Sequence, residues 1–109
     1  MSLYADYLKE RTNDNILETE HGFATFRYLN EKQVYIIDIY VIPQFREEGI
    51  AARMANAIGM EAKSVGCTEM IGTVNLGTNN TKQSLIVLMK YGMDLLRAEN
   101  NMIILKKDL

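Results

Sequence analysis

Histidine, cysteine and proline occur once each in these 109 residues, and tryptophan is missing. With Cys67 the only thiol, no disulfide can form within the chain. With His21 the only imidazole, no cysteine–histidine metal cluster can be assembled, and no metal site is expected. A serine–histidine–aspartate triad would have to recruit His21, which stands in a His-Gly turn between two apolar stretches and reads as a turn residue. Cys67, in Val65-Gly66-Cys67-Thr68, has no neighbouring base and reads as a small buried hydrophobe at a strand entry. Charge of one sign is also in short supply. Twelve basic residues against 14 acidic leave a net −2 and no basic stripe for a nucleic-acid backbone. The longest apolar run, 85–89, is too short to span a bilayer. The opening Met1-Ser2-Leu3-Tyr4-Ala5-Asp6 lacks the basic-then-apolar order of a signal peptide. These absences predict a cytoplasmic protein with a reduced thiol and neither a nucleic-acid nor a membrane partner.

What is present is ordinary for a globular chain: 48% apolar and 24% charged residues. Residues 1–109 are expected to form one domain, burying roughly two-thirds of the surface of the unfolded chain. Ser2 caps a short helix with Leu3, Tyr7 and Leu8 on one face. Strands are expected over 16–20 and 23–29, joined at His21-Gly22, and over 34–42. That third run is β-branched, aromatic and almost continuously apolar, which predicts a central strand buried on both faces, with Asp38 as the exception in its middle. Pro43 ends it. A long helix then runs to about Ser64, with Ile50, Met54, Ala57, Ile58 and Val65 as its inward stripe and Gly66 closing it. A strand over 69–74, a polar loop over 75–80 and a second helix from Thr81 to Tyr91 follow. Thr81 is a candidate cap for that helix, and Leu85, Leu88 and Met89 face inward. Strands over 94–99 and 102–107 pair across Asn100-Asn101. The order predicts an α+β, mixed α/β fold: a mostly antiparallel, twisted central sheet with helices on both faces.

One junction has the chemistry of a ligand site. Between the third strand and the long helix the chain reads Val41-Ile42-Pro43-Gln44-Phe45-Arg46-Glu47-Glu48-Gly49-Ile50-Ala51, which contains Arg-x-x-Gly-x-Ala at a helix start. Backbone N–H groups there have no intrahelical acceptor, and the helix dipole adds partial positive charge, so anions such as phosphate are favoured. Gly49 permits close approach, Ala51 is small, and Arg46 supplies a full charge. The alternative reading is a solvated first turn whose acids complement the dipole.

A strand ending in Val-x-Pro, then Arg-x-x-Gly-x-Ala, a helix and another strand resembles the GCN5-related N-acetyltransferase (GNAT) family. So do Ile37-Asp38-Ile39-Tyr40-Val41-Ile42-Pro43, Gly66-Cys67-Thr68-Glu69-Met70 and Lys90-Tyr91-Gly92-Met93, and the resemblance spans 34–109. It implies acetyl-CoA as co-substrate. The pyrophosphate would sit on the loop amides of Arg46, Glu47, Glu48, Gly49, Ile50 and Ala51, and the pantetheine arm would lie along Ile39, Tyr40 and Val41. The acceptor would be an amine of a small molecule or a protein. Compared with the family pattern, the chain is short of the opening strand and first helix. Leu88 stands where a tyrosine often protonates the departing thiolate, Thr81 where an asparagine is common, and Glu47 where glycine or a basic residue is common. Tyr91 either substitutes for the tyrosine or is a packed aromatic. Asp38 is either a general base, its pKa raised by burial, or a structural acid paired with Arg27 or a neighbouring strand. Two functions stay open: an N-acetyltransferase acting by direct attack on the thioester, or a catalytically inactive CoA-binding or interaction protein of the same fold. Seven methionines and an uncovered sheet edge point to a homodimer.

Overall fold

A computed structural model describes residues 2–77 and 81–109, with side chains over 2–77 and 85–109. The chain runs α1 (Leu3–Thr12), β1 (Asn15–Thr19), β2 (Gly22–Tyr28), β3 (Gln33–Val41), a 3-10 turn (Pro43–Phe45), α2 (Ile50–Ser64), β4 (Glu69–Asn75), α3 (Thr81–Tyr91), β5 (Asp94–Glu99) and β6 (Met102–Asp108). The six strands form one sheet in the order β1-β2-β3-β4-β6-β5. All pairs are antiparallel except β3 with β4, which α2 connects as a crossover.

Local chemistry accounts for the boundaries. Ser2 Oγ accepts from the Ala5 amide and caps α1. The last turns of α2 and α3 close alike, on Gly66 (φ 103°) and Gly92 (φ 108°). Cys67 N–H donates to Ala62 O, and Met93 N–H donates to Leu88 O. Asn100 and Asn101, both with φ between 48° and 66°, make the two-residue turn from β5 to β6. The Thr81 cap and positions 78–80 of the polar loop lie outside what the structure describes.

One face of the sheet carries the core. Ala24, Phe26, Val34, Ile36, Val41, Met70, Val74 and Leu105 meet Ile50, Met54, Ala55, Ile58 and Ala62 of α2 and Leu88 of α3. The α2 stripe therefore runs through Ala55, Gly59 and Ala62, whereas Ala57 and Val65 are exposed. Met89 is exposed too. On the opposite face α1 rests against β1, with Tyr4 edge-on to Phe23, and buries none of its own residues, Leu3 and Tyr7 included. Helices thus stand on both faces, two on one and one on the other.

Arg27 does not pair with Asp38. Its Nε donates to Asp14 Oδ1 at 2.5 Å, and the Asp14 side chain is 10% exposed. That bond to Arg27 holds the Asp14 carboxyl below its ordinary value of 3.8 despite the opposing effect of burial. A carboxylate with a lowered folded pKa contributes stability above 3.8 that fades as pH falls through the folded value. We therefore expect Asp14→Asn to cost about 1 kcal/mol at pH 7, discounted because the Arg27 side chain is half exposed. The gap between variant and wild type should close in urea titrations taken progressively below pH 3.8. A gap that stays constant with pH would refute this account of the pair.

Candidate active site

The parallel pairing of β3 with β4 is four residue pairs long, Gln33↔Glu69 to Ile36↔Gly72. Both strands then continue without each other. β3 stays paired with β2 as far as Val41, and β4 stays paired with β6 as far as Asn75. The result is a wedge in the middle of the sheet, open toward the ends of both strands.

A β-bulge at Ile37 lies where the strands part. Phe26 faces Ile36 and Thr25 faces Asp38, so Ile37 is the extra residue. It changes the phase of the strand. Val34 and Ile36 turn to the helix side before it, and Ile39 and Val41 do so after it. Asp38 and Tyr40 are consequently exposed. This corrects the expectation of a strand buried on both faces: the apolar run is continuous because its phase shifts. Asp38 lies on the exposed face beside the wedge, not buried in the strand as expected.

Backbone alternation sets what the wedge presents. Ile42 N–H donates to His21 O on the β2 side, so Val41 and Ile39 turn their backbone groups toward the wedge. The Val41 carbonyl accepts from Arg46 Nε at 2.9 Å, and the Arg46 guanidinium lies 5.7 Å from the Tyr40 ring centre. The loop is anchored at its start by Phe45, stacked on His21 with ring centres 3.6 Å apart. Glu47 (φ 69°) and Gly49 (φ 80°) are both left-handed. Left-handed residues interleaved in a turn gather successive N–H groups into a concavity that suits an anion. The first helical bond of α2 is Arg53 N–H to Gly49 O, and no side chain caps the helix. Amides from Ile50 onward in the first turn are therefore left to a ligand or to water. Glu47 and Glu48 are exposed and Arg53 donates to the Glu48 carbonyl, so the acids lie at the rim of the concavity.

The structure thus brings Ile39, Tyr40, Val41, Arg46, Glu47, Glu48, Gly49, Ile50 and Ala51 to one end of the wedge, with Asp38 beside it. Tyr91 is elsewhere. Its hydroxyl donates to Ala55 O in the body of α2, Lys107 covers its ring at 4.9 Å, and burial pushes its pKa up. It is a packed aromatic. Leu88 stands at the throat: its Cδ1 and the Met93 sulfur crowd the helix side of Gly72, the last residue of β4 paired with β3. Cys67 is buried, which raises its thiol pKa, and it lies outside the wedge at the entry to β4.

Sequence reasoning missed two residues. Tyr35 stands opposite Ile71, yet its hydroxyl reaches Thr73, the first residue of β4 past its pairing with β3, at 2.9 Å. The bond crosses the throat of the wedge on the face away from α2 and α3. It joins residues 38 apart in sequence, a separation for which no local pattern gives notice. Two shallow hollows of about 220 and 190 Å³ flank the β1–β2 turn, and no β4 residue lines either.

Residues 16–85 match the family model described as Acetyltransferase (GNAT) family. Solved structures share the fold at low identity. A GNAT family acetyltransferase from Elizabethkingia anophelis with acetyl-CoA bound is 18% identical, with a TM-score of 0.72 over 98% of this chain and 87% of that one. The Paia N-acetyltransferase of Thermoplasma acidophilum, in complex with coenzyme A, is 15% identical, with a TM-score of 0.77 over 98% and 69%. Ard1 from Thermoplasma volcanium is 16% identical, with a TM-score of 0.68 over 82% of this chain, which spans 63% of that protein's length. A search of curated proteins finds no significant match. No described helix is long and apolar enough to cross a membrane.

Proposed function

The chain belongs to the acetyltransferase (GNAT) family, and on that footing we propose that it transfers an acetyl group from acetyl-CoA to an amine by direct attack on the thioester. The observation that carries this reading is the wedge: a sheet parted at its centre, with an uncapped helix start and a left-handed loop at its open end. The residues fit the co-substrate. Loop amides from Arg46 to Ala51 and the Arg46 charge would receive the pyrophosphate. The backbone of Ile39 and Val41 would pair with the pantetheine arm as a missing strand would. Acetyl-CoA supplies an activated thioester. The chain positions it, and the backbone N–H groups that β3 turns toward the wedge would polarise the carbonyl oxygen. Asp38, exposed on the open face beside the wedge, is a carboxylate that would take up the proton once it has left the amine.

Calorimetric titration of acetyl-CoA tests the reading. Wild type should bind with micromolar affinity, and Arg46→Glu should weaken binding about tenfold to a hundredfold, the worth of one charge-assisted contact. Gly49→Trp, which places a bulky side chain on a left-handed residue at the mouth of the concavity, should abolish it. No heat and no thermal shift at millimolar acetyl-CoA would end the proposal. Leu88 favours a second reading, a CoA-binding protein without turnover. Tight binding with no acetylated product across a broad amine panel would select it.

A further inference from the structure

We propose that Tyr35 and Thr73 form the acceptor-side catalytic pair, two hydroxyls that receive the amine at the throat of the wedge and carry away the proton it loses. The proposal rests on the acetyl-transfer reading above.

The direction of approach comes first. On the helix side of the throat Leu88 and Met93 pack against Gly72, and Ile36 is buried among them. An amine therefore reaches the wedge from the opposite face, where α1 rests against β1 at the far end of the sheet. On that face the side chains bordering the throat are Tyr35, the penultimate paired residue of β3, and Thr73, the first residue of β4 past the last pair.

Their contact is a diagonal one between the two strands. The direct partner of Tyr35 is Ile71, but its ring leans forward along the sheet, toward the opening, to bring its oxygen 2.9 Å from Thr73 Oγ1. Both residues are half-buried, so the bond is sheltered but reachable. Either oxygen can be the donor. Two hydroxyls sharing one hydrogen bond leave one proton and further lone pairs for a third group. That is the requirement for passing a proton along a chain.

The step balances without a further reactant. As the nitrogen–carbon bond forms and the carbon–sulfur bond breaks, the nitrogen must lose one proton. Tyr35 Oη accepts it while giving its own proton to Thr73 Oγ1, and Thr73 releases a proton to water. Both side chains end as they began, and the departing thiolate takes its proton from solvent. No charge rests on either hydroxyl.

The test uses Tyr35→Phe, Thr73→Val and the double variant, with tyramine, spermidine and a tetrapeptide bearing a free α-amino group as probes. The Tyr35 ring and the Thr73 shape are kept, so thermal melts should move little. Each single variant should lower kcat/KM for the amine about a hundredfold, within the range of one proton-transfer group. The double should be no worse than the poorer single, as for residues acting as a unit. The solvent isotope effect on kcat/KM should disappear in Tyr35→Phe. Acetyl-CoA affinity should stay within about twofold, since the pair lies away from the cofactor loop. Calorimetry of the same amines into CoA-saturated protein, where no transfer can occur, should show weaker binding in both singles. Wild-type kcat/KM and an intact isotope effect in Tyr35→Phe would overturn the pair and leave acetyl transfer standing. Losses that multiply in the double variant would also overturn it, because the hydroxyls would then act separately. A wild type that binds no acetyl-CoA would overturn both readings together.

Discussion

Gly22→Ala is expected to cost the protein about 3 kcal/mol, lowering its melting temperature by roughly 12–24 °C for a chain of this size. The reason is local and steric. Gly22 pairs with Val41 at the end of β2, and a Cβ there would stand 2.2 Å from the Tyr40 carbonyl oxygen and 3.0 Å from Val41 Cα. Both are backbone atoms of the strand that borders the wedge, so neither can swing aside as a side chain would. Either β2 and β3 separate at that end or β3 shifts, and both outcomes disturb the Ile42–His21 bond that orients the backbone of Val41. Acetyl-CoA binding should weaken along with stability. Gly59→Ala is the matched control. Its Cβ would meet Tyr91 Oη, Leu109 Cδ2 and Met70 Cε at 3.1–3.2 Å, all side-chain rather than backbone atoms. Alanine in a helix interior also regains up to about 1 kcal/mol of propensity. Urea titrations of the two variants should therefore diverge widely. Equal midpoints would mean that the β2 end yields easily and that its glycine is incidental.

The second large effect is a gain. Leu88→Tyr should raise kcat for acetyl transfer about a hundredfold, the lower end of what one positioned acid supplies. Leu88 Cδ1 lies 3.3 Å from where a Cβ on Gly72 would stand, directly under the throat. The family resemblance places the donor for the departing thiolate at this position, and leucine has no proton to give. The larger ring in a buried site costs roughly 1–3 kcal/mol, so activity is best compared well below the melting transition. Stopped-flow detection of free thiol would give the number. An unchanged kcat in a folded variant would show that thiolate protonation does not limit the proposed transfer.

Much of the fold was legible because its signals are local. The serine cap, the glycines that close α2 and α3, the paired asparagines and the helix-start wording each act within a few residues. The buried face of α2 was read less well. Ala57 and Val65 fit the spacing but lie outside, because small residues at Ala55, Gly59 and Ala62 allow α2 to approach the sheet and α3 closely. Periodicity marks candidates for the inward face, and packing decides among them.

The third strand shows why Asp38 was misplaced. The run from Val34 to Val41 looks buried on both faces because Ile36 and Ile37 adjoin. That doublet is where an inward phase on even numbers gives way to one on odd numbers. Asp38 and Tyr40 then fall on the exposed face, a consistent polar alternation once the bulge is known. The doublet was the available signal. Nothing comparable announced the bond from Arg27 to Asp14 or that from Tyr35 to Thr73, since each joins strands or segments brought together only by the finished sheet. The loop between β3 and α2 stood out for the opposite reason: its wording is carried by consecutive residues.

The sheet is really two three-stranded antiparallel units, β1-β2-β3 and β4-β6-β5, stitched by four residue pairs. Amides of β3 past Ile36 that face the wedge belong to a middle strand by position but to an outer strand by hydrogen bonding. In hydrogen exchange they should behave like a rim. A ligand seated there would act as a splice, so the mechanical continuity of the sheet would come partly from the molecule it binds.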